Sequence, residues 1–458
     1  MILGRACLSH SPPSRWLTSH RAVCGGYANR KFPPPFVPIL FFLLVFSSGA
    51  LSQTRSQEYG REGPIIRVSL EGGVHRISLQ LSGTYKLAYE DVTIASVSDA
   101  SISISYSEHG TPTVELPNQE LQFFSPIIIE PASIDNMTST PTIAKDGVGI
   151  SHETYPGMVE VIPESSGTFR LLNLVNTETY LRGVVPNELV NDLTPDELQA
   201  CMAQAVAARN YAFFRMSQRD SNDFDVYGDT RDQVYSGIQG YKPMTDSAVE
   251  MTRGILVDYQ GQPARCFFHS TCGGHTASVQ NVWQGQPALP YLSGVSDIDP
   301  ATGKAFCAAS PKFRWTTTFT GAELDRLVRQ NLALASPIYA GQTVRGGVED
   351  LKVVNRFKSG RVDTLEIQMK DGRKYIVRGD RIRYLLQDRG KLLYSSLFNL
   401  RIVRERFGKI DRIVLNGRGD GHGVGMCQWG AIGMSKAGFD YKQILEHYYP
   451  GTEVVKKY

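Results

Sequence analysis

Thr194-Pro-Asp-Glu-Leu-Gln-Ala-Cys-Met-Ala-Gln-Ala-Val-Ala-Ala-Arg-Asn-Tyr-Ala212 is the stretch on which the fold turns. Thr194 suits a helix N-cap, Pro195 the first helical position, and Glu197 completes a capping box. Leu198, Cys201, Met202, Ala205, Ala208, Ala212 and Met216 then recur at helical spacing. The pattern predicts a helix whose Ala-rich middle, Ala203 to Ala212, packs closely against a neighbour. Strand patterns lie on both sides of it. Before it stand Met158-Val-Glu-Val-Ile-Pro163 and Thr168-Phe-Arg-Leu-Leu-Asn-Leu-Val175, and earlier still Ile65–Leu70 and His75–Leu81 alternate apolar and polar residues. After it, Gly254–Tyr259 and Ala264–His269 read as strands and Gly321–Leu332 as a helix. Strands follow around Leu351 and over Thr364–Met369, and residues 428–448 read as helical.

The order is mixed and strand-rich, which predicts an α+β fold built around the Ala-rich helix. Residues 64–150 form an N-terminal β region that reads as a separate domain, with a Ser-, Thr- and Pro-rich loop at 132–148. The main body is expected over 151–458, with its core at 155–310 and 401–458 and a subdomain or insertion at about 315–400.

Composition narrows the function classes. The 458 residues carry 48 basic and 45 acidic side chains, a formal charge of +3. That is no electrostatic footprint for nucleic acid. Residues 1–52 hold five basic residues and no acid, then the apolar run Phe36–Phe46 and small residues to Ser52. This reads as an export signal, followed by a polar linker at 53–63. Export places the protein in the periplasm or cell envelope; an uncleaved signal would anchor it. Five cysteines remain beyond residue 52: Cys201, Cys266, Cys272, Cys307 and Cys427. In an oxidising compartment an odd number leaves a free thiol or a metal site.

Four segments carry polar groups in unusual settings. In Tyr180-Leu-Arg-Gly-Val-Val-Pro-Asn-Glu-Leu-Val190, Glu188 stands among apolar residues. Buried, its pKa would rise and it could serve as a general acid; alternatively it is a first-turn acid stabilised by a helix dipole. Arg209 lies in a run of small apolar residues; it needs a partner, either Glu188, a substrate or a structural acid, or else it snorkels to the surface. Cys266-Phe-Phe-His-Ser-Thr-Cys-Gly-Gly-His275 offers metal ligands, with Cys307 able to join. If 264–270 is a strand, Cys266 and His269 face opposite sides. A Cys272–Cys307 disulfide is the competing reading, and inert free thiols are a third. In Gly417-Arg-Gly-Asp-Gly-His-Gly-Val-Gly-Met-Cys-Gln-Trp429, alternating glycines allow close approach and leave His422 and Gln428 as candidate contacts. No nucleotide-binding context surrounds this segment, and no serine-hydrolase, zincin or kinase motif is present.

Together, these segments resemble the stage II sporulation protein D (SpoIID/LytB) family of bacterial cell-wall proteins. Phe268–Gly274, Pro290–Val295, Gly421–Met426 and Ile444–Gly451 are also similar to it, in family order, from about Tyr155 onward. The resemblance implies a lytic transglycosylase acting on peptidoglycan glycan strands. Such an enzyme cleaves the N-acetylmuramic acid to N-acetylglucosamine bond without water and leaves a 1,6-anhydro end. It implies Glu188 as the catalytic acid–base. It implies Arg209, His422 and Gln428, with Gln204 and Tyr211, along the glycan groove. The reaction requires no cofactor. Because some members bind zinc near the Phe268-His-Ser segment, it also suggests His269, Cys272 and Cys307 as ligands of a structural zinc. Relatives of the LytB type imply a second reading, an amidase enhancer that binds the wall and partners a cell-wall amidase without cutting. A zinc hydrolase is a third, and would need an open metal position beside a base. The chain departs from the family pattern at Leu189-Val190, usually Met-Pro, and at Cys427-Gln-Trp429, usually Ser-Gln-Tyr.

Overall fold

The structure is a computed structural model. It describes residues 63–89, 92–132, 141–144, 153–189, 193–219 and 223–458. The expected export signal and all of the expected linker but Gly63 lie outside the described residues.

Alternation in the N-terminal strands buries one face of each of two sheets. Among the described residues, the larger sheet has seven strands. In order across the sheet they are Val226–Tyr227, Ile65–Val74, Thr168–Asn176, Met158–Glu164, Ile127–Pro131, Thr84–Tyr89 and Val92–Ser98. The smaller has six, centred on Arg76–Leu81 and Ser101–Tyr106. Ile77, Leu79, Leu81, Ile102 and Ile104 of one sheet meet Tyr85, Leu87, Ile129, Val159 and Val161 of the other in one core. Pro141–Ala144, inside the expected loop at 132–148, is a strand paired with Arg76–Leu81.

The β region is not a separate domain. Ile65–Val74 pairs antiparallel with Thr168–Asn176 along its length and parallel with Val226–Tyr227, so strands from both sides of residue 150 share a sheet and a core.

Helix α1, Thr177–Glu188, leaves that sheet directly. Helix α2, Leu198–Gln218, is the expected Ala-rich helix. Its start follows the capping logic: Glu197 accepts the Thr194 N–H at 2.7 Å and pairs with Lys436 at 2.8 Å. Helix α2 stands between two cores. Cys201, Met202, Ala205, Ala208 and Ala212 face the β-sheet core. Ala200, Ala203, Val206 and Ala207 face a second core made with the later segments. Contact on both faces explains the run of small side chains. A leucine at Ala203 would overpack that contact, at a cost of about 1–3 kcal/mol.

Helix α3 is Pro243–Met251. The insertion begins at Trp315–Thr320 and contains α4, Gly321–Ala335, whose N-cap Thr320 exchanges hydrogen bonds with Glu323. It has its own core, including Leu324, Val328, Leu365, Val377 and Ile413. It ends later than expected. Ile410–Gly417 lies between Trp315–Thr320 and Phe398–Arg404 in one sheet, so the insertion extends to Gly417 rather than about residue 400. Helices α5, Gln428–Lys436, and α6, Tyr441–Tyr448, return to pack near α2. Of the expected strand at 264–269 only Phe268–His269 is regular; it pairs in parallel with Met426–Cys427.

Candidate active site and thiol cluster

Glu188 is the last residue of α1, not a first-turn acid. The helix dipole therefore opposes its charge rather than favouring it. The helix end is held from two sides. Asn187 Nδ2 donates to Gly183 O at 2.8 Å, Val234 O at 3.2 Å and Ser236 Oγ at 3.0 Å. Gln428 Nε2, at the start of α5, donates to the Glu188 carbonyl at 2.7 Å. Gly183 lets the 235–237 loop sit on the helix. A Cβ there would lie 2.6 Å from the Tyr235 ring and 2.9 Å from Gly237 O. Desolvation drives the Glu188 carboxyl up to about 7, opposed only by a hydrogen bond from the Val234 backbone.

On the loop that bonds it through Val234, Asp232 is fully occupied. It accepts from Tyr211 OH at 2.9 Å and Tyr227 N at 2.9 Å, and pairs with Arg215 at 2.8 Å and Arg219 at 2.9 Å. Tyr211 also meets Phe267 edge-on, with ring centroids 6.3 Å apart. Phe267 in turn packs on Trp283 at 4.9 Å, and Trp283 on His422 at 4.9 Å. The result is a row of rings from Tyr211 to His422.

His422 is half-buried. Its Nδ1 accepts the Val424 N–H at 3.0 Å, which leaves Nε2 as the protonated nitrogen. Burial is the main force lowering its pKa to about 4, so near pH 7 it is a neutral donor. The flanking glycines make room: a Cβ at Gly421 would meet His269 at 2.9 Å, and one at Gly423 would meet the Arg361 guanidinium at 2.4 Å.

Two residues expected in the groove lie elsewhere in function. Arg209 is completely buried and forks onto Glu178, with Nε to Oε1 at 2.8 Å and Nη2 to Oε2 at 2.7 Å. Ile255 O takes a further bond at 3.1 Å, and Tyr458 OH donates to the same Glu178 at 2.6 Å. Arg209 thus satisfies a structural acid and presents no surface to a glycan. Gln204 is also completely buried. Its Oε1 lies 3.4 Å from Gln428 Nε2, so it supports Gln428 from behind. Its own Nε2 has no partner among the described residues. Of the expected groove residues, Glu188, Gln428, Tyr211 and His422 are partly exposed.

The sulfur cluster differs from the expected one. Cys272, Asp297, Cys307 and Cys427 are all buried, with ligand atoms within 4.8 Å of one another. Cys272 and Cys307 are free thiols with sulfurs 3.5 Å apart, so the disulfide is not formed. His269 is not a member. Its Nδ1 lies 3.1 Å from Val424 O, its ring centroid is 5.5 Å from that of His422, and its buried Nε2 has no partner among the described residues. The parallel pair sets His269 opposite Cys427, but the Cys427 sulfur enters the cluster while the His269 ring turns to Val424 O and His422. Cys266 instead packs toward Tyr449, and His275 toward Thr276 O.

Backbone donors surround the sulfurs. Cys272 N reaches Cys427 Sγ at 3.1 Å, Gly274 N reaches Cys272 Sγ at 3.3 Å, and Gly430 N reaches Cys427 Sγ at 3.3 Å. Tyr448 OH donates to Asp297 Oδ1 at 2.5 Å, and Cys307 N to Oδ2 at 3.1 Å. Burial raises Cys272, Cys427 and Asp297, Asp297 to about 8, while hydrogen bonds from the other thiols pull Cys307 down to about 3. Asp297 escaped the sequence reading. Cys427 was visible as a departure from the family pattern, but not as a ligand.

The fold and site define an α+β protein with a desolvated, partly exposed carboxyl at a helix end, a row of aromatic rings and a closed thiol cluster. Comparison with known proteins places it in a family. Residues 165–259 match the family model described as Stage II sporulation protein, and residues 304–425 match a Domain of unknown function (DUF8618). An uncharacterised protein of Brachyspira hyodysenteriae is 30% identical over 397 residues, covering 85% of this chain and 93% of that one. Stage II sporulation protein D of Bacillus subtilis is 30% identical over 293 residues, 60% of this chain and 74% of that one. The amidase enhancer of the same organism is 28% identical over 299 residues, 59% of this chain; the match spans only 40% of the enhancer. The chain belongs to the stage II sporulation protein D family.

Proposed function

We propose that the protein is a lytic transglycosylase of peptidoglycan, with Glu188 as its single acid–base. The observation that carries this reading is a desolvated carboxyl at a helix C-terminus, raised to about 7, while Asp232, on the loop whose Val234 backbone bonds it, is fully engaged elsewhere. Ordinary glycosidases need two working carboxyls. Here one suffices. Protonated Glu188 gives its proton to the glycosidic oxygen as the bond to muramic acid C1 breaks. The Glu188 carboxylate then takes the proton of the sugar's own C6 hydroxyl as O6 bonds to C1. The acid is regenerated and no water is consumed. Gln428 holds the Glu188 backbone, and neutral His422 ends the row of rings against which the sugar would pack.

Three thiols and a carboxylate, closely spaced and fed by backbone N–H groups, fit a structural zinc. Cys272, Asp297, Cys307 and Cys427 would hold it. Bound there, it would neutralise thiolates and tie together the segments that flank His422. All four ligands are buried, which argues against the metallohydrolase reading. The basic, acid-free start and its apolar run support export. Among the described residues no helix is long and apolar enough to cross a membrane.

Similarity to an amidase enhancer keeps one second reading in view, wall binding beside an amidase partner. Digestion separates the two. The protein and its Glu188→Gln variant are incubated with peptidoglycan and with peptide-free glycan strands, and products are read by mass spectrometry. Anhydro-muramyl ends that vanish in Glu188→Gln support the transglycosylase. No product, with glycan binding retained by both proteins, would favour the enhancer reading.

A further inference from the structure

The insertion is not a loose appendage. Arg361, completely buried, reaches from it into the catalytic body and donates to His275 O at 2.9 Å and Cys272 O at 3.0 Å. Asp380 N donates to Val282 O at 3.4 Å, and Gly379 approaches Asn281 O and Val282 O so closely that a Cβ would lie 3.1 Å from each. These bonds fix the insertion against the loop that carries Trp283.

Between that loop and the insertion is a cavity of about 760 Å³. Its walls include Trp283, Ile338, Tyr384, Arg378, Asp380 and Arg381. That size is within the range of small-molecule sites. The cavity adjoins the proposed cleft, because Trp283 packs on His422 and Asp380 lies close enough to act on the His422 charge. Its charge balance is positive. Asp380 is neutralised by Arg383 at 3.2 Å. Arg378 bonds Thr364 at 2.8 Å and stands 3.9 Å from Asp363. Arg381 is exposed, lies over the Tyr384 ring at 5.2 Å, and makes no ion pair among the described residues. Ile338 is 76% exposed at the rim. Aromatic faces beside an uncommitted guanidinium suit a sugar ring that carries a carboxylate.

We propose that the insertion builds an additional subsite for the glycan strand, in which Arg381, assisted by Arg378, receives a carboxylate carried by a sugar remote from the scissile bond. This assigns a role to the domain of unknown function and rests on the glycan-strand reading above. The carboxylate has two sources on such a strand: the lactyl group of peptide-free muramic acid, or a stem peptide.

The test is calorimetric. Peptide-free tetrasaccharide and octasaccharide are titrated into the full chain carrying Glu188→Gln, so that nothing turns over. The octasaccharide should bind about ten-fold more tightly. Arg381→Glu should abolish that advantage and leave tetrasaccharide affinity unchanged, while Arg381→Lys should keep part of it. With Glu188 intact, Arg381→Glu should still cleave the tetrasaccharide at the parent rate. Octasaccharide with reduced carboxyls losing the advantage upholds the lactyl source; a peptide-bearing octasaccharide binding still more tightly upholds the subsite with the peptide as source. Equal affinities for both lengths, or an octasaccharide advantage untouched by Arg381→Glu, overturn the subsite. Anhydro products together with equal affinities would remove the subsite alone. Length-dependent binding without anhydro products would remove the transglycosylase and leave the subsite.

Discussion

Replacing Glu188 with glutamine should abolish cleavage and stabilise the protein, the latter only at high pH. The carboxyl is raised from 4.5 to about 7, chiefly by desolvation. Such a displacement corresponds to about 3 kcal/mol of preference for the neutral form. The side chain is partly exposed, and screening reduces this to about 2 kcal/mol. The sign follows from the raised folded pKa. The stabilising contribution is complete below about 4.5 and is lost as pH rises through about 7. Glutamine stays neutral throughout and loses nothing. Thermal unfolding of the two proteins at pH 4.5 and pH 8.5 should give coincident midpoints at the lower pH. At the higher pH the variant should melt about 2 °C above the parent, the scale expected for a chain of this size. An offset equal at both pH values, or a parent that is the more stable at pH 8.5, would show that Glu188 is not held as a neutral acid.

The remaining predictions use the same geometry. Because Glu188 must start protonated, kcat/KM should fall about ten-fold per pH unit above about 7; a profile flat to pH 9 would reject it as the acid. Arg209→Ala should strip the buried partner from Glu178 and cost about 3–5 kcal/mol in a denaturant melt; lost activity with unchanged stability would contradict its structural placement. Elemental analysis should find about one zinc per chain. The metal should be lost in Cys427→Ala or Asp297→Ala and kept in His269→Ala, and the reverse pattern would restore histidine to the ligand set.

The Ala-rich helix was legible because its signals are local: a capping box, a proline at the start and helical periodicity all lie within one window. Glu188 was recognised, but its place on α1 was not. The stretch from Thr177 to Glu188 holds Gly183 and Pro186, has no side-chain cap and follows a strand without a break, so its helical character comes from packing rather than propensity. Arg209 could not be assigned from spacing, since Glu178 lies on a different helix and the pair meets only when α1 and α2 dock. The thiol cluster depended in the same way on the register between segments more than 150 residues apart. The N-terminal strands were each readable, but which strands shared a sheet was not, because alternation specifies a face and not a neighbour.

That short parallel pair also bears on when the proposed activity would begin. Two residues from each strand give few hydrogen bonds, while joining them closes a loop of more than 150 residues. Such a contact cannot nucleate folding and must await structure on both sides, a high-contact-order step that comes late. Gln428 adjoins this pair, and its grip on the Glu188 carbonyl arrives with it. Maturation of the proposed site is thereby timed by a late long-range closure, so a chain still collapsing holds its acid without the clamp that aims it.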